Sequence, residues 1–195
     1  MNARTLSSVL LVVIGSMGCR HDALAPDTPP GEAGAVASAS QAPVDDVLLA
    51  WLSAARSLHH EADLAEDVND GKLAVVALER LLAAKRPRAA AEIDEVLADT
   101  HARLGDLRSK DGDFDGAEKN VDAGLLFAKG VSYYRGHLFE VRGLVEERRA
   151  KALAAKGDLT GAAAAREAAK KAFEEAVTLN FEFIDQHGRD KGGAP

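Results

Sequence analysis

Cysteine is almost absent: Cys19 is the only one, so no disulfide can form within the chain. Aromatic residues make up 5% of the sequence, while alanine and leucine are prominent. That mixture favours helix, because Ala, Leu, Glu, Lys and Arg lose little side-chain freedom on entering one. The formal charge is −7 and no basic stretch is dense enough to follow a phosphate backbone, so no nucleic-acid partner is expected. After residue 18 no apolar run approaches the roughly 20 residues needed to cross a bilayer. Sustained period-two alternation is missing everywhere, so no sheet is expected. Catalytic signatures are missing too. Gly71-Lys72 lacks the rest of a phosphate-binding loop, and no serine sits in a G-x-S-x-G elbow. The paired acids Glu146-Glu147 and Glu174-Glu175 have basic neighbours and read as solvated helix faces. Neither a cofactor nor an enzymatic activity is expected.

What is present begins with an address. Arg4 precedes an apolar run, Val9 to Ile14, and small residues then lead to Cys19. This is the layout of a secretory signal, too short to span a membrane. Ser16-Met17-Gly18-Cys19 resembles a bacterial lipobox, although the family usually has an aliphatic residue where Ser16 stands. The resemblance implies a signal peptide at 1–18, cleavage before Cys19, and acyl chains on that cysteine. Such chains supply membrane affinity at about 0.8 kcal/mol per buried methylene. Arg20 follows, not the aspartate that resembles an inner-membrane retention signal. The expected location is therefore the bacterial cell envelope, anchored to the outer membrane and facing the periplasm.

Residues 19–43 carry four of the six prolines, with Gly, Ser and Ala between them. Such a segment buries too little apolar surface to offset its ordering entropy, so it is expected to be a disordered, flexible linker. From residue 44 the pattern changes to helical spacing. Leu48, Trp51, Leu52, Ala55 and Leu58 make one stripe; Ala74, Ala77, Leu78, Leu81 and Ala84 make a second, stopped near Pro87. Ile93, Val96, Leu97, Leu104 and Leu107 mark a third helix, and Ala117, Val121, Leu125 and Ala128 a fourth. A fifth carries Leu138, Val141, Val145 and Ala152. The sixth runs from about Thr160 to near Gly188. The expected fold is all-α, three stacked antiparallel helical hairpins over 44–188, with a disordered tail at 189–195.

The hairpins share letters. Lys110 to Ala117 and Lys156 to Ala162 both read as lysine, a Gly-Asp-hydrophobic turn, then Gly-Ala. Leu104-Gly105, Gly112-Asp113-Phe114 and Ala117 resemble the L-G pair, the G-D-[YF] turn and the first alanine of tetratricopeptide repeats. Gly157-Asp158-Leu159 resembles the same turn; Ala169, Phe173 and Ala176 resemble the family's A-x3-F-x2-A about two helical turns late. The resemblance implies a short solenoid, since no hairpin buries its apolar face alone and about three are the minimum. It implies a non-catalytic scaffold binding an envelope protein or peptide. By repeat spacing, groove-lining positions are Asp99, Ala102, Asp106 and Ser109. These do not reproduce the Lys/Asn clamp with which some members grip a terminal carboxylate. The two aspartates among them suggest an acidic groove, suited to a basic or neutral segment. Its oligomeric state is left open.

One alternative remains. Asp111, Asp113, Asp115 and Asp122, with Gly116 at the sixth position, imitate a twelve-residue calcium loop. Against it, Ala117, Val121 and Leu125 form one stripe only if helix begins by about Asp115, which consumes the loop. The turn is the expected reading and calcium binding the alternative. His59 and Asp63, at i and i+4, could face one ion, but two ligands make no structural site, and the stretch reads as a solvated polar face. His101 and His137 have no partner in sequence.

Overall fold

The computed structural model describes residues 45–189, with side chains described as far as His187. The segments expected to be a signal peptide (1–18) and a linker (19–43), with Cys19, lie outside the described residues, as does the tail beyond Arg189. Six helices follow one another: α1 (Asp46–Asp67), α2 (Gly71–Ala83), α3 (Ala91–Lys110), α4 (Phe114–Phe127), α5 (Tyr133–Ala155) and α6 (Leu159–Arg189). No strand occurs among the described residues. α1 pairs with α2, α3 with α4, and α5 with α6, giving three antiparallel hairpins. α3 stacks on α2 and touches α1, and α5 stacks on α3 and α4.

The three hairpin turns are built alike, and the first is a closer copy than its letters suggest. Asn69, Gly112 and Gly157 all take positive φ, at 59°, 85° and 82°. Each is followed by an aspartate whose amide reaches back to a carbonyl in the helix before: Asp70 to Ala65, Asp113 to Arg108 and Asp158 to Leu153, at 2.8, 2.9 and 3.0 Å. The same aspartates cap the next helix, accepting from the amides of Leu73, Gly116 and Gly161 at 3.0, 3.0 and 2.8 Å. Asparagine substitutes for glycine in the first turn because its short polar side chain tolerates the left-handed region. Asp113→Ala is expected to destabilise the domain by about 1 kcal/mol, the usual cost of a lost cap, read from the midpoint of urea unfolding.

Two apolar clusters join the first hairpin to the second. Leu48, Trp51 and Ala55 of α1 pack with Leu81 of α2 and with Ile93 and Leu97 of α3. Nearer the turns, Ala62, Ala65, Ala74, Ala77 and Leu78 pack with Leu104 and Leu107. A third cluster unites Ala98 and Ala102 of α3, Ala117 and Val121 of α4, and Leu138, Val141 and Val145 of α5. Gly105 lets α3 approach α4, since a Cβ there would lie 3.1 Å from Val121 and 3.3 Å from the Ala117 carbonyl.

The last pair is packed differently. Buried residues of α6 are Ala162, Ala165, Ala169, Ala172, Ala176 and Leu179, alternating three and four apart. Opposite them α5 buries Gly136, Gly143 and Ala150, seven apart. Small side chains on both faces bring the two backbones together along most of α5. The bulky Phe173 lies over Gly143, where an added Cβ would come within 2.5–2.7 Å of its ring.

Candidate functional site

One face of the stack is formed by the first helices of the hairpins, α1, α3 and α5. It holds a shallow cavity of about 200 Å³ lined by Glu66 of α1, by Ala102, Arg103, Asp106 and Leu107 of α3, and by His137, Glu140, Val141 and Leu144 of α5. Its apolar floor, Ala102 and Val141, belongs to the central cluster, so the site rests on the core.

The four residues expected to line the groove are placed unequally. Asp106 lines the cavity with its side chain one-quarter exposed. Ala102 lies beneath it and is fully buried. Ser109 is buried as well, its Oγ donating to the Asp106 carbonyl at 2.8 Å and accepting from Arg148. Asp99 is half-exposed beside His59, 3.8 Å from its Nδ1. The spacing found the helix, but stacking of the third hairpin turns Ala102 and Ser109 into contact positions.

Acids outnumber bases in the lining of the groove, Glu66, Asp106 and Glu140 against Arg103, but each is held in an ion pair. Arg103 ties Asp63 and Glu66 of α1, at 2.7 Å each. Lys110 and Arg148 hold Asp106 at 2.7 and 2.8 Å, and His137 approaches Glu140 at 3.3 Å. Burial pushes the Asp106 carboxyl up, but the two cations outweigh this and hold it below its ordinary value. The surface alternates in sign. Arg103, Arg148 and Leu144 were missed because nothing local distinguishes them from solvated helix residues.

His59 is no part of a solvated face. Its Nε2 lies 3.0 Å from Thr100 Oγ1, which itself donates to the Val96 carbonyl at 2.7 Å. Its Nδ1 lies 3.0 Å from the Arg103 guanidinium. Thr100 has given away its proton and Arg103 only donates, so His59 is the neutral tautomer with its hydrogen on Nε2. Burial pushes its pKa down; Asp99 and Asp63 pull upward and Arg103 pushes down, with a net lowering. His101 is also lowered, by burial first, and stacks on Phe127 with its Nδ1 3.3 Å from Asn120 Oδ1. A lowered imidazole binds its proton more weakly in the folded chain than in the unfolded one. Stability is therefore complete above the ordinary histidine value of about 6.5 and declines as pH falls below it toward the folded value. Melting midpoints measured from about pH 8 to about pH 5 should fall, and His59→Gln should flatten part of that slope.

The four aspartates of the calcium alternative are drawn apart. α4 begins at Phe114, so Asp113 is its cap and Asp111 ends α3. Asp115 pairs with Arg149 at 3.3 Å, and Asp122, near the end of α4, pairs with Arg142. Arg149 also gathers Glu118 and the buried Glu146, at 3.0 and 3.1 Å, and its guanidinium lies 5.7 Å from the Phe114 ring centre. Burial pushes the Glu146 carboxyl up, against the pull of Arg149. Among the described residues, no group of three or more His, Cys, Asp or Glu side chains is placed to hold a metal ion.

No protein-family model matches the chain, nor does any curated protein or solved structure. Among the described residues no helix is long and apolar enough to cross a membrane.

Proposed function

We propose that this protein is a non-catalytic, membrane-anchored scaffold of tetratricopeptide-like hairpins that holds a segment of another protein in the bacterial cell envelope. The observation that carries this reading is the face formed by α1, α3 and α5, with its apolar floor and alternating polar rim. A rim of fixed, paired charges orients a ligand by hydrogen bonds without a strong demand on its net charge. The matching occupant is a neutral or mixed-charge peptide segment with one or two apolar side chains for the floor beside Leu144. Lipid on Cys19 keeps the domain at the outer membrane, and 19–43 spans the distance to the partner.

The test is capture from solubilised native membranes with the intact chain and with Leu144→Arg. A specific protein retained by the native chain and lost with the variant, at unchanged circular dichroism, supports the reading. No specific protein, or equal capture by both, removes it. Mass spectrometry of the mature amino terminus tests the anchor separately: an acylated Cys19 is expected, and a free thiol there would count against it.

A further inference from the structure

The array ends on an uncovered face. α6 buries one side on α5, but Val177, Phe181 and Ile184 lie on the other at 53%, 69% and 64% exposure. They fall four and three residues apart, on one stripe that continues through the half-buried Phe173. A hollow of about 650 Å³ lies at the Phe173–Val177 end of the stripe, edged by Glu147, Arg166, Lys170 and Glu174. The outer face of α6 is otherwise charged, with Lys171, Glu175 and Glu182 exposed on it, so these side chains form an apolar strip between polar flanks.

We propose that this face pairs with the same face of a second copy, α6 against α6 in antiparallel register, giving a two-fold dimer. Two observations choose that occupant. First, this chain has little of its own to offer: after the leader, residues 20–44 carry only Leu24, Val36 and Val44 as large apolar side chains, and 190–195 carry none. Second, the stripe is self-complementary when reversed. Centred on Val177, the pairing sets Phe173 against the partner's Phe181. It sets Lys170, which also pairs with Glu174 at 3.8 Å, against the partner's Ile184 and beside its Asp185. Opposed helix directions also bring the partial charges of the helix ends into favourable apposition. From Phe173 to Ile184 the stripe is about 17 Å long at 1.5 Å per residue, three turns of helix. A two-fold contact closes at two copies, whereas joining this end to the opposite end of the array would propagate.

The experiment uses the full chain in mild detergent. Sedimentation, corrected for bound detergent, should give a dimer whose dissociation constant rises about 30-fold or more in Phe181→Glu, as for an apolar hot spot. That variant changes an exposed side chain and should keep its helical signal. Val177→Cys, on the two-fold axis, should form a disulfide-linked dimer on mild oxidation. Ala163→Cys, also exposed but far from its own symmetry mate, should not, and the native chain controls for Cys19. A monomer in the native chain, larger open assemblies, cross-linking as efficient through residue 163 as through 177, or a dimer untouched by Phe181→Glu would each overturn the proposal.

Discussion

Leu104→Ala is expected to destabilise the domain by about 2–5 kcal/mol, a large part of the stability of any domain this size. Leu104 is fully buried where α3 meets the first hairpin, against Leu78, Ala74 and Ala77. Its neighbours are mostly alanines on rigid helices, which cannot collapse into the space, so transfer and cavity costs both apply. The loss should also be uneven. Leu104 joins α1 and α2 to the stack, while the cluster of Leu138, Val141 and Val145 that ties α5 to α3 and α4 does not include it. In a linear array, weakening one junction frees the end unit first. Amide exchange should therefore rise most in α1 and α2 and least in α5 and α6. Uniform acceleration across all six helices would show that the array opens as one unit instead.

Gly143→Ala should destabilise the native chain and stabilise the Phe173→Ala chain. Alanine in place of a helical glycine gains about 1 kcal/mol from backbone entropy wherever there is room for the methyl group. At Gly143 there is none, because its Cβ would fall 2.5–2.7 Å from three atoms of the Phe173 ring. Overpacking of this kind costs about 1–3 kcal/mol, which outweighs the gain. Removing the ring removes the clash and leaves the entropy term alone, so the effect changes sign. A double-mutant cycle in urea reads both numbers, and its coupling energy measures how tightly α6 is held on α5.

The helical stripes, turns and caps are legible in the sequence because each is settled within a few residues. Gly112-Asp113 and Gly157-Asp158 announce their turns, and Ala117, Val121 and Leu125 already place the start of α4 ahead of a calcium loop. Asn69-Asp70 carries the same construction under different letters, visible only once its φ is known. The candidate site was half legible. Repeat spacing located the groove helix, yet Ala102 and Ser109 proved to be buried and the acids to be paired with Arg103 and Arg148. His59 looked solvated because its partners Thr100 and Arg103 lie 41 and 44 residues away.

By itself, then, the chain's order of residues determined the helices, their ends and the three hairpins, since backbone hydrogen bonds, caps and amphipathic periods act over one or two turns. Only the tertiary structure decided what those helices do to one another: which bases pair with the acids of the groove, that Phe173 sits on Gly143, and that Val177, Phe181 and Ile184 are left facing outward. The reason is register. A slide or rotation of one stacked helix leaves its own hydrogen bonds and periodicity intact, but changes every partner its side chains meet.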